Sequence, residues 1–98
     1  MSARNIGAIR LDGCDNVATV LRPVESGEAI RVRCGLEVIE IIAVHAIPLC
    51  HKISLGPIAA GADVMKYGQP IGRASASIAV GHHVHIHNMR SARARSAP

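Results

Sequence analysis

Phenylalanine and tryptophan are absent from this chain, and Tyr67 is its single aromatic residue of that class. A core without such rings must be filled by Ile, Val, Leu and Ala, and the β-branched members favour extended backbone. The same absence removes the stacking platforms on which proteins hold single-stranded nucleic acid. Cysteine is scarce too: Cys14, Cys34 and Cys50 are odd in number and form no CxxC pair. That excludes a disulfide framework and a cysteine-based zinc knuckle, and it leads to the expectation of reduced thiols in a cytoplasmic protein. No apolar run approaches the ~20 residues of a membrane helix, and no signal-peptide pattern is present, so no membrane association is expected.

Ninety-eight residues make one small domain. A chain of this size buries only about 60% of its unfolded surface, too little for a deep cleft with a complete catalytic set of its own. The formal charge of +4 suggests an acidic partner until it is located. Arg90, Arg93 and Arg95 fall in the last segment, and without them residues 1–88 carry a net of only +1. The folded part has no basic stripe, so no nucleic-acid partner is expected. We divide the chain into a β domain over residues 1–89 and a flexible basic tail over 90–98, because SARARSAP has no apolar content to order it.

What is present is a short internal pattern: an apolar residue, two residues, glycine, two residues, then another apolar residue. It occurs as VESGEAI (24–30), IAAGADV (58–64) and IAVGHHV (78–84), and as IPLCHKI (47–53) with Cys50 in the glycine position. The spacing predicts four similar tight corners, each delivering the chain into a new strand, with glycine supplying a left-handed backbone position. Around them IGAIRL (6–11) and VATVLR (17–22) read as a hairpin across DGCDN. AIRVRC (29–34) and LEVIEIIAV (36–44) read as a second hairpin, the latter strand apolar enough to be central. GPIAAG is expected to hold a single helical turn started by Pro57. The fold class is therefore all-β, one compact domain with little helix.

Chemistry concentrates in GHHVHIHN (81–88), which holds four of the six histidines. Read as one straight strand, it places His83, His85 and His87 on one face at intervals of ~6.6–6.8 Å, with Val84 and Ile86 on the other. Neutral imidazoles so placed suit a first-row metal ion, though the same spacing also describes a solvated polar face. His51 and Lys52 stand together at the Cys50 corner and suit a carboxylate, and His45 reads as a polar strand end. KYGQPIG (66–72) is a bent loop in which Gly68, Pro70 and Gly72 are architectural, while Lys66 and Tyr67 are free for contact with substrate or a partner.

Taken together, His51-Lys52, the Lys66–Gly72 loop and the His83–Asn88 ending resemble the small SAF-type domain of the altronate/galactarate dehydratase family. That domain is marked by a Gly-His-Lys corner, a Lys-Tyr-Gly-x-x-Ile-Gly loop and a His-Val-His-x-His-Asn ending. The likeness is strong over residues 45–90 and general over 1–44. It departs from the pattern at Cys50, where the family has glycine, and at His82, where an acidic residue is common. The resemblance implies a β-clip fold and a role as small subunit, or detached N-terminal domain, of a sugar-acid dehydratase whose larger partner carries most of the active site. A sibling with the same small subunit expels sulfite from sulfolactate, and a non-catalytic SAF module is the other alternative. The resemblance further implies an iron(II) or manganese(II) cofactor and a sugar-acid carboxylate as substrate. On that basis His85 and His87 are candidate metal ligands, and His83 and His51 candidate catalytic groups. Lys66, Tyr67, Lys52 and Asn88 are candidate substrate contacts. The oligomeric state stays open.

Overall fold

A computed structural model describes residues 6–91. Among them no helix forms, and nine strands make two sheets, which places the chain in the all-β class. The strands are β1 (Ile6–Arg10), β2 (Val17–Val20), β3 (Ala29–Cys34), β4 (Glu37–Ile42), β5 (Lys52–Ser54), β6 (Asp63–Lys66), β7 (Gln69–Ala74), β8 (His83–Val84) and β9 (Met89–Ser91). The larger sheet runs β4-β3-β1-β2-β5-β8 and the smaller β6-β7-β9. Both expected hairpins are present, β1 with β2 and β3 with β4, and β1 also pairs in parallel with β3.

The four corners share one construction. The residue in the glycine position has positive φ in each: 87° at Gly27, 72° at Cys50, 84° at Gly61 and 84° at Gly81. Its backbone N–H donates to a carbonyl at the end of a distant strand, namely Ala43, Val20, Ala74 and Ser54 in turn. The corners work in exchanged pairs. Val24 of the first and Ile47 of the second bridge with two backbone hydrogen bonds, and Ile58 of the third and Ile78 of the fourth do the same. A tight turn alone would not hold, but two that satisfy each other's strand ends leave few backbone groups unpaired.

The apolar corner residues build the core. One cluster gathers Val24, Ile30, Ile47 and Ile53 with Ala8, Val20 and Val32; a second gathers Ile58, Val64, Ile78 and Val84 with Val17 and Ala74. Each fully buried Ile or Val contributes about 1.5–3 kcal/mol relative to exposure. Both clusters are aliphatic, as the missing aromatics require.

Three local expectations are corrected. Residues 57–61 form no helical turn, because Ile58 is committed to its bridge with Ile78 and Ala59–Ala62 close a corner. The β4 strand is at the sheet edge rather than its centre: β1 occupies the other side of β3, and only Ile41 of β4 is buried. The run 81–88 is not one strand; β8 ends at Val84, residues 85–88 turn, and β9 begins at Met89. β9 also takes in Arg90 and Ser91, which the sequence reading gave to the tail, while Arg93 and Arg95 lie outside the described residues. No helix among the described residues is long and apolar enough to cross a membrane.

Candidate functional site

Two corners that are far apart in sequence carry the histidines. The second corner turns at Cys50 and presents His51 just before β5. The fourth turns at Gly81 and presents His82 and His83, the latter opening β8. Antiparallel pairing of β5 with β8 sets Ile53 opposite His83 and Lys52 opposite Val84, so the two corners lie side by side. Buried Ser54 locks them: its hydroxyl donates to the Ala79 carbonyl and accepts the His82 N–H.

The turn after β8 folds the remaining histidines back. Asn88 closes it: its Oδ1 accepts the His85 N–H at 2.9 Å, its Nδ2 donates to the His83 carbonyl at 2.9 Å, and its own N–H donates to the His85 carbonyl. The Asn88 side chain thus works on the backbone of the turn, where the sequence had suggested a substrate contact. The bend brings the rings of His83 and His85 to 5.4 Å and those of His83 and His87 to 5.2 Å, and it stacks His85 on His51 at 4.2 Å.

The tightest grouping is His51, His83 and His85, each offering a ring nitrogen within 4.8 Å of the others. His51 Nδ1 and His83 Nε2 are 2.9 Å apart. The sequence had paired His85 with His87 as ligands; the turn puts His87 on the exposed side of His83, and His51 takes the third place instead. His45 and His82 pack edge to face at 4.6 Å on the flank, so all six histidines of the chain collect at one end of the β5–β8 pair.

Electrostatics favour neutral rings. Burial first, then the neighbouring His51, His87, His85 and His45, lower His83 to about 4. Burial and then His51, Lys52 and His87 lower His85, and burial and then His45 and His87 lower His82. Neutral imidazoles are what a metal ion requires, and cis nitrogens around a first-row ion sit about 3 Å apart given bonds of ~2.0–2.1 Å. The His51–His83 separation matches that spacing, and with a His85 nitrogen within 4.8 Å the three residues are a group that could hold one divalent ion.

The lysines border this cluster. Burial first, and then Lys66, push the half-buried Lys52 ammonium below its ordinary value. Lys66 Nζ lies 5.2 Å from the centre of the Tyr67 ring, which is itself exposed. Tyr67 and Gly68 form the β6–β7 turn with φ of 58° and 70°. The sequence reading missed what holds that turn. Asp15, nearly buried, accepts the N–H groups of Tyr67 and Gly68 at 3.0 and 2.8 Å, and Asn16 bonds the Asp63 carbonyl and the Met65 N–H. The two acidic residues and the asparagine of DGCDN were the signal, read only as a hairpin turn.

The altronate dehydratase of Escherichia coli is 40% identical over 83 residues, which is 85% of this chain and 16% of that protein. That of Bacillus subtilis is 35% identical over the same shares. The (2R)-sulfolactate sulfo-lyase subunit alpha of Chromohalobacter salexigens is 44% identical over 48 residues, covering 49% of this chain and 51% of that subunit. The chain thus spans a small fraction of the dehydratases and about half of the sulfo-lyase subunit. The altronate/galactarate dehydratase SAF domain matches residues 6–92, the paired corners and the histidine turn included, and the chain belongs to that family.

Proposed function

We propose that this domain is the small part of a metal-dependent sugar-acid dehydratase and contributes imidazoles to an active site completed by a larger catalytic chain. The observation that carries this reading is the convergence of His51, His83 and His85 from two corners of the fold. Three clustered imidazoles, each part-exposed on a small domain, suit a site that another surface closes over. The relatives support the partner: the matched region is 16% of the length of altronate dehydratase, and in the sulfo-lyase it is about half of a subunit named alpha.

The reaction would convert an altronate-type acid to a 2-keto-3-deoxy acid and water. Iron(II) or manganese(II) held by His51, His83 and His85 would supply Lewis acidity toward substrate oxygens. His87, exposed with its ring 5.2 Å from that of His83, would border the cluster on its solvent side. Lys52 and Lys66 bind the carboxylate, and Tyr67 holds the Lys66 ammonium at the rim. Asn88 fixes the spacing of His83 and His85 through the turn.

The test is co-expression with the large dehydratase chain of the same source and anaerobic assay with added iron(II) or manganese(II). Dehydration of a sugar acid, reduced about a hundred-fold or more in His51→Ala, His83→Ala and His85→Ala with the complex intact, supports the reading. Release of sulfite from sulfolactate would assign the sulfo-lyase branch instead. Full turnover in all three variants would leave the domain a non-catalytic stabilising module.

A further inference from the structure

We infer that β4 is a dimerisation edge, on which a second copy of this chain pairs its own β4 antiparallel about a two-fold axis at Ile39.

A sheet edge offers unpaired backbone N–H and C=O groups to any strand of matching register. Folds blunt such edges with short strands, bulges, proline or lysine. Of the four edges here, three are blunted. β8 has two residues, β9 has three, and β6 has four with a register shift between Val64 and Met65. β4 is different. Its six residues pair with β3 without a shift and contain no proline or lysine. Among the described residues no strand lies on its other side. Leu36, Val38, Ile39, Ile42 and Val44 are all exposed along it.

The charge pattern of the strand selects its own copy as the occupant. Successive side chains alternate in face, so Leu36, Val38, Glu40 and Ile42 share one face, and Glu37, Ile39 and Ile41 the other. A two-fold pairing is self-complementary, and with faces matched it centres on a single residue. Centred on Ile39, it sets Ile39 against its own copy, Val38 against Glu40, and Glu37 against Ile41. Leu36 and Ile42, the most exposed apolar side chains of the stretch, then cover each other. Neither glutamate meets a glutamate, whereas centring on Glu40 would oppose two like charges, which is destabilising. Within each copy Val38 pairs with Arg33 and Glu40 with Arg31, so every Val38–Glu40 contact lies in a row between two cations. The segments outside the described residues, MSARN and ARARSAP, bring no apolar alternation that would answer this strand.

β4 runs toward the histidines, for Val44 just beyond it donates its N–H to the Gly81 carbonyl. Antiparallel pairing therefore carries the two histidine clusters to opposite ends of the joined strands and leaves each open to a larger chain.

The test is sedimentation equilibrium of the full chain over a wide concentration range. We expect a species of twice the 10.3 kDa chain mass. In a mixed-label sample, methyl NOEs should join Leu36 of one copy to Ile42 of the other. Val38→Glu sets glutamate against Glu40 twice per dimer and should weaken association about ten-fold or more, whereas the equally polar Val38→Lys should keep or strengthen it. Residue 38 is exposed, so both variants should retain the β signal in circular dichroism. A monomer at every concentration overturns the inference. Equal weakening by both variants does so too, since that is the behaviour of an apolar patch serving another partner, the large catalytic chain included.

Discussion

At Cys50 a side chain occupies a backbone conformation that the other three corners give to glycine. A left-handed conformation costs an ordinary residue about 1–2 kcal/mol, partly offset by the entropy glycine loses on folding. Cys50→Gly should therefore stabilise the domain by about 0.5–1 kcal/mol, seen as a higher denaturation midpoint with an unchanged slope. His83 makes the opposite kind of statement. It titrates at about 4 in the fold and at the ordinary 6.5 when unfolded, so between those values the unfolded chain binds the extra proton. The ring's contribution is complete above pH 6.5 and is lost as the pH falls toward 4. With the ring partly open to solvent, the loss is on the order of 1 kcal/mol. Urea titrations at pH 7.5 and pH 4.5 should show it, and His83→Gln should reduce the difference, His82 and His85 keeping their own share.

The corner is the element on which this fold turns, and it was the part most open to reading from sequence. Its seven-residue pattern is local, so Gly27, Gly61 and Gly81, and Cys50 among them, could be recognised without knowing what each corner touches. Pairing between elements is not local. LEVIEIIAV is as apolar as a central strand, yet Val38 and Ile42 of β4 stand 43% and 60% exposed, because edge position depends on which strand takes the other side of β3. The histidine ending misled for a different reason: alternation described His83, His85 and His87, but Asn88 bends the chain after β8, and His51 arrives from 32 residues away. The Asp15 clamp on Tyr67 spans 52 residues and was equally out of reach. Asp15→Ala removes the carboxylate that accepts from the part-buried Tyr67 and Gly68 N–H groups and should cost about 1–2 kcal/mol, with amide exchange at Tyr67 and Gly68 accelerated more than in β3.

For the whole molecule, stability is divided between two aliphatic clusters with little redundancy in either. Ile78 is fully buried, bridges Ile58 and belongs to the cluster under the histidine turn. Ile78→Ala should cost about 2–5 kcal/mol, enough to be measured by thermal unfolding. Ile30→Ala, in the other cluster, should destabilise similarly while leaving the His51–His83 contact in the folded fraction unchanged. The exchanged corners carry a consequence in time. The first corner closes on the second and the third on the fourth, whereas the histidines that meet belong to the second and the fourth. Neither pair can form the cluster by itself, so ring contact waits for the two halves to dock through β5 and β8. In a refolding experiment started from denaturant, cobalt(II) uptake should lag behind the first gain of β signal and rise with the final phase. The cluster would then act as a clock for the last step of folding.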